Sequence, residues 1–180
     1  MSIGLISSSN KDGREHYYDR FRGRVMFPII NRNNHIIAFG GRVIDDGSPK
    51  YLNSPESEIF HKRQELYGFN MARDHISEVK RAIIVEGYLD VIGCHQAGIK
   101  NVVAPLGTSL TKEHLTLLSR YCTEIIILFD ADSAGINAAL KSLSLGDTVN
   151  TELRVALLPE GDPFDFVTTR SAREFMAVID

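Results

Sequence analysis

The 180-residue sequence has little of several features that would assign it to a specialised class of protein. It contains two cysteines, Cys94 and Cys122, which lie far apart in apolar segments, so we predict buried structural thiols rather than redox-active or metal-binding ones. The six histidines do not pair with these cysteines at a zinc-binding spacing. No apolar run approaches the roughly 18 residues of a membrane span, and the N-terminus lacks the basic region of a signal peptide. These absences predict a cytoplasmic protein with no membrane segment.

The composition is that of a globular chain with a hydrophobic core, with 43% hydrophobic and 24% charged residues. The net charge of −3 is unevenly distributed. Residues 1–80 contain 12 Lys and Arg against 10 Asp and Glu (+2), whereas residues 81–180 contain 8 against 13 (−5). A mildly basic part followed by an acidic part suits one lobe that binds phosphates and another that binds metal.

The first 80 residues predict a small α+β lobe. Residues 1–15 are polar and glycine-containing, and we expect them to be mobile. Strands over 25–30, 35–39 and 42–44 would form an antiparallel meander, in which Pro28 confines its strand to an edge or a bulge and Gly40-Gly41 allows a bulge. Residues 48–64 form a loop whose composition by itself favours a solvated connector, and residues 65–79 predict an amphipathic helix.

From Arg81 the pattern changes to alternating strands and helices, with strands over 82–85, 101–104, 125–129 and 153–158. Such alternation predicts a parallel sheet with right-handed crossovers. We expect Thr111 and Ser133 to cap two of the helices. The second of these should direct four side chains inward, namely Ile136, Ala139, Leu140 and Leu143.

Acidic residues follow three of the four predicted strands. Asp130 and Asp132 come directly after the apolar run 125–129, and residues i and i+2 of an extended chain point the same way. Because the carboxyl ends of parallel strands share one edge, Glu86 and Asp162 should lie nearby. Like charges at such short distances need a cation or protons between them, and Mg²⁺ prefers oxygen ligands. The sequence therefore predicts a metal site suited to phosphoryl or nucleotidyl transfer.

Two of the acids have alternative roles. Glu86 precedes a glycine at a strand end and could be a metal ligand or a general acid/base. Asp90 lies one helical turn further on and could support the same site, or simply favour the positive end of the helix dipole.

Several motifs resemble known families. V-E-G-Y-L-D-V and F-D-A-D-S-A-G are similar to the TOPRIM signature shared by primases, topoisomerases and some nucleases. Y-D-R-F-R-G-R-V-M-F-P-I, F-G-G-R-V, P-K-Y-L-N-S-P-E, F-H-K and P-L-G-T-S-L-T resemble the RNA-polymerase core of DnaG-type bacterial primases. The resemblance extends from Tyr17 to Asp165. It implies a parallel-sheet TOPRIM domain over 81–180, with helices on both faces, preceded by an α+β subdomain over 1–80.

The resemblance also implies a function: metal-dependent synthesis of short RNA primers on single-stranded DNA from ribonucleoside triphosphates during replication. Mg²⁺ or Mn²⁺ would be the cofactor. The implied catalytic acids are Glu86, Asp130, Asp132 and Asp90, with Asp162 as a further metal ligand. The motifs implied to hold DNA or nucleotide phosphates contain Arg22, Arg24, Arg42, Lys50, Tyr51, Asn53 and Lys62.

One motif departs from the family pattern. The family usually has G-x-D-P-D after the fourth strand, whereas this chain has G-D-P-F-D, with Phe164 in place of the second acid. Asp165 is a candidate metal ligand in its stead. The family's zinc-binding module and helicase-binding domain have no counterpart in the 180 residues. We therefore expect a monomeric fragment of a replication-fork enzyme that primes weakly by itself, with zinc and helicase bound elsewhere.

Three other functions fit part of the pattern. Another TOPRIM enzyme, a nuclease or topoisomerase, would use the same acids. A phosphatase of the haloacid dehalogenase type would use Asp130 as nucleophile, since D-A-D-S loosely fits its motif, but this leaves Glu86 and the basic residues unexplained. A non-enzymatic nucleic-acid-binding module would retain the acids without using them.

Overall fold

The structure is a computed structural model that describes residues 4–180; residues 1–3 lie outside the described part. The chain divides into two compact units, Met1–His61 and Lys62–Asp180. Within residues 4–180, no helix combines the length and apolar character needed to span a membrane.

The first unit begins with an antiparallel hairpin that the sequence did not predict. Strands β1 (Ile6–Lys11) and β2 (Arg14–Asp19) pair antiparallel. The two residues between them, Asp12 and Gly13, have φ values of 53° and 72°, as a type I′ turn requires. Residues 6–15 therefore lie in regular structure that the polar composition did not indicate, whereas the mobility of residues 1–15, of which 1–3 lie outside the described part, stays a prediction. Asp-Gly is a strong hairpin signal, and here it outweighs the polar composition.

An antiparallel sheet completes the first unit, with strands in the order β3 (Arg24–Ile30), β4 (Ile36–Val43) and β5 (Tyr51–Asn53). Strand β3 lies at an edge of this sheet, which is one of the two positions, edge or bulge, that Pro28 predicted. The pairing irregularity lies at Ile29/Ile30 rather than at Gly40-Gly41. Gly41 is instead a close-packing position, because a Cβ there would lie 2.8 Å from the Phe21 ring.

The second unit contains four parallel strands, which confirms the predicted sheet. Their order in the sheet is β7 (Val102–Val103), β6 (Arg81–Ile84), β8 (Glu124–Ile127), β9 (Glu152–Val155). The helices are α1 (Phe69–Val79), α2 (Tyr88–Gln96), α3 (Lys112–Leu118), α4 (Ser133–Leu143), α5 (Pro163–Thr169) and α6 (Ala172–Ile179), with a 3₁₀ turn at Gly146–Thr148. The isoleucines of β8 are fully buried, as in a sheet covered on both faces.

The two compact units divide between His61 and Lys62, before helix α1. Helix α1 belongs to the second unit, because its buried residues Phe69, Ala72 and Ile76 pack into the core that covers the parallel sheet. The amphipathic pattern of α1 indicated that it is buried on one face, but not which sheet it covers.

Two details of helix α4 differ from the prediction. Asp132, not Ser133, is the N-cap residue, and its Oδ1 accepts a hydrogen bond from the Gly135 N–H at 2.7 Å. The buried face consists of Gly135, Ala139 and Ser142, whereas Leu140 and Leu143 are exposed. Small residues on this face allow the helix to approach the sheet closely. By contrast, Thr111 caps α3 as predicted, accepting from the His114 N–H.

Candidate active site

The carboxyl edge of the parallel sheet brings four acids together. Glu86 follows β6, Asp130 and Asp132 follow β8, and Asp162 follows β9. Because β6 and β8 are adjacent, Glu86 and Asp130 are in direct contact: the Asp130 N–H donates to Glu86 Oε1 at 3.0 Å. The strand order therefore assembles acids that are up to 76 residues apart in the sequence.

Asp130 is the most perturbed acid of this group. Burial raises its pKa, and the negative charges of the neighbouring acids raise it further, to about 7. The charges that act on it are those of Glu86, Asp90, Asp162 and Asp132. Its Oδ1 is buried and has no hydrogen-bond partner in the described part of the chain. A buried, unpartnered carboxylate oxygen among like charges is suited to a bound cation.

Backbone N–H groups orient the other acids. Asp132 Oδ1 caps α4, and Asp162 Oδ1 caps α5 by accepting from the Asp165 N–H at 2.7 Å. Glu86 is held through Oε1 by Asp130. In each case one carboxylate oxygen accepts a backbone hydrogen bond, which limits the rotamers that the side chain can adopt.

Gly135 is a residue that sequence reasoning missed. A Cβ at this position would lie 2.4 Å from the Asp130 carbonyl oxygen and 2.7 Å from Glu86 Oε1. Any larger residue would thus displace the first turn of α4 or the carboxylate of Glu86. The only signal for this requirement was the glycine at the end of F-D-A-D-S-A-G.

Asp90 faces protein rather than the open edge. Its side chain is buried, with 8% of the residue exposed, and both carboxylate oxygens accept backbone hydrogen bonds. Oδ2 accepts from the Gly87 N–H at 2.9 Å, and Oδ1 accepts from the Phe164 N–H at 3.2 Å. Burial raises the pKa of Asp90, as does the charge of Asp162, to about 6. Its role in the first turn of α2 is therefore more than favouring the helix dipole.

The segment after β9 contains two predicted metal ligands, Asp162 and Asp165, and their surroundings differ. Asp165 is exposed in the first turn of α5, and it is not among the acids whose charges raise the pKa of Asp130. Phe164 is half-buried, and its ring packs against Gly93 of α2. The structure thus brings Asp162 into the acidic group and leaves Asp165 at its margin.

The acids fit a divalent cation by their chemistry, although their present arrangement is not a complete ligand set. Within residues 4–180, no three Asp, Glu, His or Cys side chains are close enough to hold a metal as they stand. Two observations nevertheless favour a cation: the unpartnered Oδ1 of Asp130 and the accumulation of negative charge that raises its pKa. All the donors are oxygens, which a hard cation such as Mg²⁺ prefers.

A cavity of about 470 Å³ adjoins Glu86. Its walls come from the segment after β7, the end of β8 and the second half of α4, and include Thr108, Ser109, Phe129 and Lys141. Thr108 Oγ1 is buried without a hydrogen-bond partner in the described residues. The volume of the cavity is within the range of small-ligand sites. Sequence reasoning did not assign these residues, although P-L-G-T-S-L-T marked the segment.

The predicted DNA- and nucleotide-binding residues lie in the first unit, apart from Lys62. Two of them form cation–π pairs: Arg22 lies 4.9 Å from the ring of Tyr18, and Arg42 lies 5.9 Å from the ring of Tyr51. Lys50 is exposed. An arginine next to an aromatic ring can bind phosphate and also offer a face on which a base stacks.

Arg24 is held by hydrogen bonds to the backbone of its own unit. The Arg24 guanidinium donates to the carbonyl oxygens of Gly41 (3.3 Å), Lys50 (3.4 Å) and Pro49 (2.8 Å). It therefore holds the segment that leads into β5. Arg20 and Arg22 lie in the turn before β3, so the three alternating arginines do not share one strand face.

Asn53 and Lys62 both have backbone contacts. The Asn53 carbonyl oxygen accepts from Arg20 at 3.4 Å, which fixes the end of β5. Lys62 begins the second unit, and its carbonyl oxygen lies 3.0 Å from Nε2 of the buried His114. These contacts fix the backbone at both positions.

Comparison with known proteins agrees with this geometry. Residues 83–167 match a family described as Toprim-like, and residues 1–73 match the family described as DNA primase catalytic core, N-terminal domain. The chain is 45% identical to the DNA primase of Clostridium acetobutylicum over 182 aligned residues, which cover 100% of this chain and 30% of that protein.

Two solved structures are similar over nearly the whole chain. A DNA primase domain from Pseudomonas aeruginosa has a TM-score of 0.89 at 44% identity, covering 99% of this chain and 56% of that one. A structure described as the DnaG primase catalytic domain bound to ssDNA has a TM-score of 0.88 at 41% identity, with coverage of 99% and 56%.

The parallel sheet with acids along its carboxyl edge thus defines a protein with a Toprim domain. The N-terminal match and the similarity along the whole chain are more specific. The chain belongs to the catalytic core of DnaG-type bacterial DNA primases. Membership of this family implies divalent-metal binding in general. The chain spans about 30% of the length of its curated relative from Clostridium.

Proposed function

We propose that this chain provides the nucleotidyl-transfer centre of a DNA-directed RNA polymerase that makes short RNA primers on single-stranded DNA during replication. The acidic edge carries the proposal, above all the buried and unpartnered Oδ1 of Asp130 surrounded by like charges. Membership of the DnaG-type core family supplies the reaction class.

We propose that Glu86, Asp130, Asp132 and Asp162 hold Mg²⁺ or Mn²⁺. A divalent cation at this edge would neutralise phosphate oxygens and favour deprotonation of the attacking hydroxyl. The N-cap bonds of Asp132 and Asp162 orient their carboxylates before any ligand binds. Glu86 also lines the cavity, which supports a further role as acceptor of the proton that the hydroxyl loses.

The proposed template is single-stranded DNA, and the proposed substrates are ribonucleoside triphosphates. The solved relative described as bound to ssDNA supports the template. In this chain, the arginine–tyrosine pairs formed by Arg22 and Arg42, together with the exposed Lys50, would contact phosphates and bases. Arg24 would act indirectly, by shaping the segment that carries Lys50.

Other partners are proposed for the full-length relatives rather than for these residues. Because the chain spans about 30% of a curated relative, we propose that zinc and the replicative helicase bind to segments outside it. The chain itself would act as a monomer at the replication fork, in the cytoplasm, and would prime weakly without those segments.

The test uses the full-length parent protein with a single-stranded DNA template, Mg²⁺ and labelled ribonucleotides. We expect short RNA products, which Asp132→Asn should abolish and Asp147→Asn should not affect, because Asp147 is an exposed acid outside the site. Nicked or shortened DNA instead of RNA would identify another Toprim enzyme.

Two further outcomes would reject the proposal. Turnover of an aryl phosphate that is lost in Asp130→Asn would indicate a phosphatase. If isothermal titration detected neither Mg²⁺ nor Mn²⁺ binding and no RNA were made, the chain would be a binding module whose acids are not used.

A further inference from the structure

The position of Asp162 depends on helix α5. Asp162 is the N-cap residue of α5, and its Oδ1 accepts from the Asp165 N–H at 2.7 Å. The carboxylate is therefore fixed relative to the first turn of this helix and moves with it. Whatever holds α5 against the rest of the unit also sets the distance between Asp162 and the other acids.

Asp90 joins α5 to α2 through two backbone hydrogen bonds. One carboxylate oxygen accepts from Gly87, at the beginning of α2, and the other accepts from Phe164, in the first turn of α5. Because Asp90 is only 8% exposed, an N–H that lost this partner would be poorly compensated by water. Gly87 directly follows Glu86, so this link connects the chain beside one acid to the chain beside another.

Phe164 and Gly93 form the second link between the two helices. A Cβ at Gly93 would lie 2.8 Å from Phe164 Cδ2 and 3.2 Å from Val167 Cγ2. The ring thus packs directly on the backbone of α2, and no side chain fits at position 93 unless α5 or the ring moves. This contact gives Phe164 a role in packing.

We propose that Asp90, Gly93 and Phe164 form a clamp between α2 and α5 that sets the position of Asp162 relative to Glu86. Asp90 is then a positioning residue and not a ligand of the cation. Phe164 contributes to the site by fixing the helix that carries Asp162, and Asp165 does not take over a ligand role. This inference rests on the proposed function, since it concerns the same acidic edge.

The test measures Mn²⁺ affinity of the 180-residue chain from the electron paramagnetic resonance signal of free Mn²⁺. Gly93→Ala changes no charge and no ligand, yet it should weaken Mn²⁺ binding about tenfold, as changes in groups that orient ligands do. Gln96→Ala, at an exposed position of the same helix, is the matched control and should leave the affinity unchanged. The double variant Gly93→Ala/Phe164→Ala should bind nearly as tightly as Phe164→Ala, because the added methyl no longer meets the ring and its remaining close contact, with Val167 Cγ2 at 3.2 Å, is the milder one.

A second measurement needs no metal. Amide hydrogen exchange of Phe164, followed by NMR, should be slow in the wild type and faster in Asp90→Asn, because an amide side chain cannot accept from both N–H groups. If Gly93→Ala does not fold, Phe164→Ser tests the same packing contact by removing the half-buried ring.

The outcomes separate the inference from the proposed function. If Asp162→Asn leaves Mn²⁺ affinity unchanged, the proposed metal site is wrong. If Asp162→Asn weakens binding while folded Gly93→Ala and Phe164→Ser variants bind as the wild type does, the clamp is wrong and the metal site stands. Exchange at Phe164 that does not respond to Asp90→Asn would also overturn the clamp.

Discussion

Replacing Asp130 by asparagine should stabilise the metal-free protein at pH 8 and have little effect near pH 4. The pKa of Asp130 is raised from 3.8 to about 7 in the folded state, by burial and by the surrounding acids. A raised carboxyl pKa means that the folded state binds more protons than the unfolded state between these two values. The corresponding stability is fully present below about pH 4 and is lost as the pH rises to about 7. Asparagine is neutral throughout and does not undergo this loss.

The magnitude follows from the size of the shift. The pKa of Asp130 rises from 3.8 to about 7, and each pKa unit corresponds to about 1.36 kcal/mol. The stability lost on ionisation of Asp130 therefore has an upper limit of about 4 kcal/mol. Asp130 is partly exposed, and solvent screens its interaction with the other acids. We therefore expect Asp130→Asn to raise the free energy of unfolding by about 1 to 2 kcal/mol at pH 8.

The assay follows amide hydrogen exchange of strand β8 in the presence of EDTA at pH 4 and pH 8. Buried core strands report unfolding of their own unit. The matched control is Asp147→Asn, which removes the same charge at an exposed position. Added Mn²⁺ should make the wild type more stable than Asp130→Asn. At 100 times its dissociation constant, Mn²⁺ should stabilise the wild type by about 2.7 kcal/mol and Asp130→Asn much less. An equal effect of the substitution at both pH values would mean that the charge of Asp130 does not destabilise the folded state.

Three other substitutions test the structure around the site. Thr111→Ala removes the N-cap of α3 and should lower the free energy of unfolding by about 1 to 2 kcal/mol in urea titrations, whereas Thr116→Ala, inside the same helix, should have a smaller effect. Gly135→Ala should reduce both thermal stability and Mn²⁺ affinity, because its Cβ would lie 2.4 Å from a carbonyl oxygen, while Gly146→Ala, where the nearest atoms are 3.5 Å away, should change neither. Glu124→Gln should destabilise the sheet by about 1 to 3 kcal/mol in calorimetry, because the half-buried carboxylate bonds two arginines, and an unchanged midpoint would show that these ion pairs contribute nothing.

Local patterns predicted the elements of the second unit well. The apolar run 125–129 behaves as a buried strand, and Thr111 caps its helix as expected. Predictions were incomplete or wrong where two local signals competed. Polar composition gave no indication of strands before residue 16, whereas the Asp12-Gly13 turn signal accounts for the hairpin. On α4, the apolar Leu140 and Leu143 are exposed, because small residues face the sheet instead.

Which acids follow which strands can be read from the chain alone, because a strand and the residues that follow it are adjacent in sequence. Glu86, Asp130, Asp132 and Asp162 could therefore be named together. How these acids meet depends on the tertiary fold, since neighbours in the sheet are set by packing between distant segments. The hydrogen bond from Phe164 to Asp90 joins residues 74 positions apart. No periodicity or spacing encodes such a contact, because it forms only once α2 and α5 have packed side by side.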